Sequence, residues 1–128
     1  MLSRKGLNMS DEFKISLAQL NATVGDLSGN TQKVMEAWEI ARDQRSDLIA
    51  FPELFITGYN PQDLILKTAF QKAATSSIDQ IAKACAQGPA IAIGGPFYDE
   101  NKLYNSYYIL ADGKIQAVIK KHHLPNEE

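Results

Sequence analysis

The sequence predicts an α/β layered fold. Short apolar runs that read as strands alternate with two longer segments whose apolar residues recur at helical spacing. The inferred order, β-α-β-α-β-β, is the pattern of an α/β layer architecture. The chain has 128 residues, enough for one domain or part of one.

Residues 14–20, KISLAQL, alternate apolar and polar side chains. A strand is expected there, with Ile15, Leu17 and Gln19 on one side. The following NATVGDLSGN is rich in glycine and asparagine and reads as a loop. Asn30 or Thr31 is the expected N-cap of the first helix. Val34, Ala37, Trp38 and Ala41 give that helix a single apolar stripe, and charged Arg42, Asp43, Arg45 and Asp47 end it. Leu48, Ile49, Ala50 and Phe51 form a continuous apolar run, as in a strand buried on both faces. Pro52 cannot donate to a sheet ladder and should end the strand, which delivers Glu53 at its carboxyl end. FITGYNPQDL is expected to be irregular.

A second helix is predicted over residues 66–87. Phe70, Ala74, Ile78, Ile81 and Cys85 share one face, and Gly88 and Pro89 stop the helix. PAIAIGGPFYD reads as another buried strand, ended by its paired glycines and Pro96. LYNSYYILADGKIQAVIKKH reads as a hairpin with Asp112-Gly113 as its turn.

Composition excludes several classes. Apolar residues make up 45% and charged residues 22%, inside the ordinary globular range. The net charge is −2, from 13 basic and 15 acidic residues. That balance gives no reason to expect nucleic acid or an anionic membrane as partner. A single cysteine rules out a disulfide within the chain and suits a reducing cytosol, so a cytoplasmic location is expected. No apolar run approaches the roughly 18 residues that span a bilayer. Residues 1–12 are expected to be a loosely ordered leader: Arg4 and Lys5 have no apolar core after them, unlike a secretory signal. The domain is placed at 13–128.

Glu53 is the first candidate for chemistry. A carboxylate after a buried strand, followed by a Gly/Pro-bearing loop, stands where α/β folds place ligands. Partial desolvation there would raise its pKa and make it a usable proton acceptor. Taken alone, a strand-end glutamate is more often a salt-bridged or capping residue. Lys121 is the second. Strand alternation lets only one of Lys120 and Lys121 face the core side, and an inward ammonium could stabilise an oxyanion. A solvated lysine pair on an edge is the commoner case. His122 and His123 point to opposite faces in an extended chain and chelate one ion poorly, so no metal site is expected. Cys85 lies on an apolar helix stripe and reads as a packed small hydrophobe rather than a nucleophile. GGP at 94–96 lacks the spacing of a phosphate loop and reads as a chain reversal.

KISLAQLN, TVGDLSGN, DLIAFPELFITGYNPQDL, AIAIGGPFY, KLYNSYYILADGKI and KKHHLPN occur in this order. Together they resemble the opening of a nitrilase-superfamily (carbon–nitrogen hydrolase) domain over roughly residues 13–126. GYNPQDLILKTAF and KHHLPN are similar to the N-terminal glutaminase domain of glutamine-dependent NAD⁺ synthetases. The resemblance implies the first half of an α-β-β-α sandwich and a Glu-Lys-Cys catalytic set. On its motifs Glu53 matches the general base, Lys121 the oxyanion-stabilising lysine, and Tyr59 in TGY a residue lining the pocket. A cysteine thiolate attacks glutamine, and the released ammonia serves ATP-dependent conversion of deamido-NAD⁺ to NAD⁺.

The family's nucleophile lies beyond K-x-x-L-P, and Cys85 matches it in neither position nor context. Glu127 stands where the family usually has an aromatic residue. No cofactor is therefore expected in this chain. ATP and Mg²⁺ belong to a synthetase domain outside it, and the partners implied are glutamine, the remainder of a parent enzyme and further copies in a homo-oligomer. The 128 residues alone are expected to be inactive and to self-associate, with Ile91, Ile93, Tyr107 and Ile109 short of cover. A stand-alone amidase, or an inactive half-domain acting as an interaction module, are the alternatives.

Overall fold

Seven elements follow one another in the computed structural model, within the described residues 12–58 and 68–123. They are β1 (Ile15–Leu17), α1 (Leu27–Asp43), β2 (Leu48–Ala50), α2 (Thr68–Ala84), β3 (Ala90–Asp99), β4 (Lys102–Ala111) and β5 (Lys114–His123). They build one five-stranded sheet in the order β1-β2-β3-β4-β5. β1, β2 and β3 are parallel, while β3, β4 and β5 form an antiparallel meander. The fold is a mixed α/β layer of the kind the alternating patterns predict.

Register decides which residues become core. Ser16, Ile49, Ile91 and Leu110 lie side by side across four strands. Ile49, Ile91 and Leu110 of this row pack with Val34, Trp38, Ile78, Ile81 and Cys85 of the helical segments. The next row, Leu17, Ala50, Ala92 and Ile109, belongs to the opposite face, because side chains alternate along a strand. Ile15 is therefore 51% and Leu17 70% exposed. The apolar side of β1 faces away from the helices, and half-buried Ser16 faces inward, with its Oγ 2.5 Å from that of Ser46. Ile91 and Ile93 are fully buried under the helices and need no further cover, whereas Tyr107 and Ile109 are half-buried.

The paired glycines and Pro96 do not end β3, which runs on to Asp99. β2 stops opposite Ala92, so beyond that point the side of β3 away from β4 has no ladder for Pro96 to break. Pro96 instead pairs with Asn105, and its carbonyl accepts from the Tyr108 hydroxyl at 2.7 Å. The hairpin turn falls at Asp112-Gly113 as predicted. Both residues have positive φ, 55° and 83°, the mark of a type I′ turn matched to strand twist. Glu100 and Asn101 repeat the device between β3 and β4, at 48° and 64°.

The cap of α1 differs from expectation. Asp26, not Asn30 or Thr31, is the N-cap, and its carboxylate accepts from the Gly29 amide at 3.0 Å. Asn30 is buried inside the helix and works sideways. Its Oδ1 accepts from the Thr23 amide, and its Nδ2 donates to the carbonyls of Thr23 and Ile56, at 2.8, 2.8 and 3.1 Å. A buried amide spends all its bonds where they meet otherwise unpaired backbone. Here it ties the loop before α1 to the turn after β2.

Asn30→Ala should accordingly destabilise the complete gene product by about 2–3 kcal/mol, because the buried backbone groups lose their partners. Asp26→Ala should cost only about 1 kcal/mol, as ordinary cap losses do. Denaturant unfolding of the two variants decides it, and equal losses would remove the clamp role given to Asn30.

Candidate active site

Glu53 stands in a turn that begins where β2 ends. The Phe51 amide still donates to the Ala92 carbonyl at 2.8 Å. The chain then folds back through 3.3 Å bonds from the Phe55 amide to Pro52, the Thr57 amide to Leu54 and the Gly58 amide to Phe55. Leu54, Phe55, Ile56 and Thr57 are all buried. Leu54 holds φ at +52°, a left-handed conformation that costs a branched residue on the order of 1–2 kcal/mol.

The turn is fastened from several sides. The Ile56 amide bonds the Gly94 carbonyl at 3.2 Å, and the Gly25 amide bonds that of Thr57 at 2.9 Å. Gly94 lies directly beneath. A Cβ there would be 2.2 Å from the Leu54 nitrogen and 2.9 Å from the Glu53 Cα. The GGP segment therefore serves close backbone approach rather than chain reversal or phosphate binding.

The same turn meets β5. Lys121 Nζ is 2.5 Å from Glu53 Oε2, with side chains 43% and 32% exposed. The neighbouring lysine goes elsewhere: Lys120 Nζ bonds Asp99 Oδ2 at 3.0 Å. Asn105 pairs with His122 and Ser106 with Lys120, which leaves Lys121 as the extra residue of a β-bulge. Bulges re-aim a side chain in this way. Glu53 supplies the hydrogen bond that holds the Lys121 pKa above its ordinary value, with partial burial opposing. An ammonium so held is a fixed positive charge at neutral pH and a poor proton acceptor.

Tyr107 completes the arrangement. It faces Gly94 in register, its hydroxyl donates to the Phe51 carbonyl, and its ring lies within the field of both Lys121 and Glu53. Periodicity marked Tyr107 only as a residue in need of cover. The signal that could have found it is the tyrosine's polar tip on an otherwise apolar strand. Asn105, two residues earlier, is buried with its Oδ1 unpaired.

Cys85 is not part of the group. It is buried with the helical core cluster, and burial, reinforced by Glu39, pushes its thiol up to about 11. Tyr59 lies outside the described residues. The backbone of His122 and His123 is extended within β5. Among the described residues, no cluster of His, Cys, Asp or Glu side chains stands ready to hold a metal ion, and no helix is long and apolar enough to cross a membrane.

Known proteins resemble this chain in sequence and fold. The chain is 48% identical over 120 residues to a glutamine-dependent NAD(+) synthetase of Rhodobacter capsulatus, covering 94% of this chain and 22% of that one. A solved glutamine-dependent NAD(+) synthetase from Cytophaga hutchinsonii has a TM-score of 0.81 at 28% identity, over 90% of this chain and 20% of the other. An amidase of the nitrilase superfamily from Nesterenkonia AN1 has a TM-score of 0.74 at 24% identity, over 91% of this chain and 45% of that one, a likeness of fold. The chain spans about one fifth of the length of the curated relatives it matches. The carbon-nitrogen hydrolase family model matches residues 14–128, and the chain belongs to that family.

Proposed function

We propose that this chain forms the first part of a glutaminase domain that supplies ammonia to a glutamine-dependent NAD⁺ synthetase. The observation that carries the reading is the Glu53–Lys121 pair, 2.5 Å apart, with Glu53 on a turn fixed by buried backbone contacts and Lys121 on β5. The 48% identity to a synthetase supports the substrate, whereas the likeness to the amidase supports the fold alone.

A cysteine thiolate from outside these residues attacks the glutamine amide carbon. Glu53 takes the thiol proton and gives it to the departing ammonia. The Lys121 ammonium stabilises the oxygen that becomes negative in the tetrahedral intermediate. Water then cleaves the thioester and releases glutamate. ATP and Mg²⁺ act at a synthetase site elsewhere in the protein, and Tyr59 lines the glutamine pocket. Cys85, with its thiol pushed up to about 11, is no substitute nucleophile, so these 128 residues alone should release no ammonia.

In the complete gene product, Glu53→Gln keeps the side chain's shape and removes the base. Glutamine-dependent NAD⁺ formation should fall by about 10²–10⁴-fold, as loss of a general base does. The rate with free ammonia should be unchanged. Lys121→Met should lower the glutamine rate by about 10²–10³-fold. Because Lys121 is raised from 10.5, its charge is fully present below that value and is lost only above it. An alkaline loss of activity at lower pH must therefore have another source. Equal losses with glutamine and ammonia in either variant would count against the assignment.

Cys85 supplies a separate check. A raised thiol pKa means that its stabilising neutral form is fully kept below 9.0 and lost as pH climbs through about 11. The folded protein should react at Cys85 with a maleimide far more slowly than the unfolded protein at pH 7. Cys85→Ala should keep full glutamine activity and cost on the order of 1 kcal/mol of stability. A folded Cys85→Ala protein that forms no thioester would show that the nucleophile has been misplaced.

A further inference from the structure

We propose that Tyr107 is a positioning residue for the Glu53–Lys121 pair, acting through the carbonyl of Phe51. The proposal rests on the reading of that pair as the catalytic base and oxyanion lysine.

Phe51 directly follows β2, and its amide still bonds the sheet, through the Ala92 carbonyl at 2.8 Å. Its own carbonyl is taken by the Tyr107 hydroxyl from β4, two strands away. Residue Phe51 is thus held at both its amide and its carbonyl. The next residue is Pro52, whose ring locks φ near −65°. Few free backbone torsions remain between the pinned carbonyl and the Glu53 side chain. On the far side, Leu54 sits over Gly94, the register partner of Tyr107. Glu53 is held between two fixed points, and Tyr107 supplies one of them.

Tyr107 is close enough to Lys121 and Glu53 to feel both charges, which act on it in opposite senses, while burial raises its pKa above 10.0. The phenol therefore keeps its proton through neutral pH and remains a donor to Phe51. Misplacing a reacting group by about 1 Å can cost 10²-fold in rate, so loss of this hold should appear in turnover rather than in substrate binding.

Tyr107→Phe in the complete gene product removes the hydroxyl and keeps the ring. The glutamine kcat should fall at least tenfold, KM should stay within threefold, and the ammonia-dependent rate should be unchanged. Replacing Tyr107 by 3,5-difluorotyrosine keeps the hydroxyl but lets it ionise at a lower pH. The glutamine kcat should then be lost at a correspondingly lower pH than in the unmodified protein, again without change in the ammonia reaction. This second arm serves if the phenylalanine variant does not fold. A glutamine kcat within twofold of the unmodified protein, an equal loss with ammonia, or an unmoved alkaline limb in the fluorinated protein overturns the proposal. Retention of glutamine activity in Glu53→Gln would instead overturn the underlying reading of the pair.

Discussion

Everything at the site depends on one close approach, that of the Glu53–Leu54 backbone to Gly94. The space that a Cβ would need at residue 94 is filled by the Leu54 nitrogen. Only a glycine lets the chain leave β2, turn on top of β3 and present a carboxylate there. The left-handed Leu54 is tolerated because its surroundings over-determine it. Asn30, Thr57 and the Phe51–Phe55 ring contact, with centroids 5.4 Å apart, hold the turn from the other sides. Close packing makes such a segment stiff, and the Glu53 carboxylate is carried on a backbone with little freedom to move.

The pair also shows how one sequence doublet can have two uses. Lys120 and Lys121 lie next to each other, yet one reaches Asp99 and the other Glu53. Lys120 also lies 4.9 Å from the Tyr104 ring centroid. The bulge opposite Asn105 and Ser106 separates their tasks. Both pairs are open to solvent to a similar degree, and such pairs contribute little to stability. The Lys121 pair differs through its surroundings, a buried turn on one side and a half-buried tyrosine on the other.

Much of this was legible in the sequence, and the exceptions have physical causes. The alternation of strands and helices, with one strand fewer at its end than the structure has, the apolar stripes of both helices and the Asp112-Gly113 turn follow from local periodicity and turn chemistry. The carboxylate at the end of β2 follows from Pro52. The orientation of β1 was not legible, because alternation in residues 14–20 says that two sides differ but not which side meets the helices. Asparagine near a helix start is usually a cap, whereas the partners of Asn30 are Thr23 in the preceding loop and Ile56, 26 residues away. The course of β3 through Gly94, Gly95 and Pro96 was hidden because local rules treat such residues as breaks. Their reason for being there lies in a separate segment, the Glu53 turn. Tyr107 escaped for the same reason, since its hydroxyl acts across 56 residues of chain.

The lysine doublet has a consequence for how the sheet assembles. Glu53 and Lys121 are 68 residues apart, so their meeting adds a late, non-local contact to two hairpins that can zip locally. A one-residue slip of β5 against β4 exchanges the faces of its side chains. In most strands that would replace a cation by a neutral residue and be rejected electrostatically. Here it would offer Lys120 in place of Lys121, and an ammonium would still reach the carboxylate. Charge alone cannot police the register. That task falls to the partly buried Ile115 and Val118, which pack against the core cluster, and to the tight turn at Asp112-Gly113, which leaves the hairpin no slack.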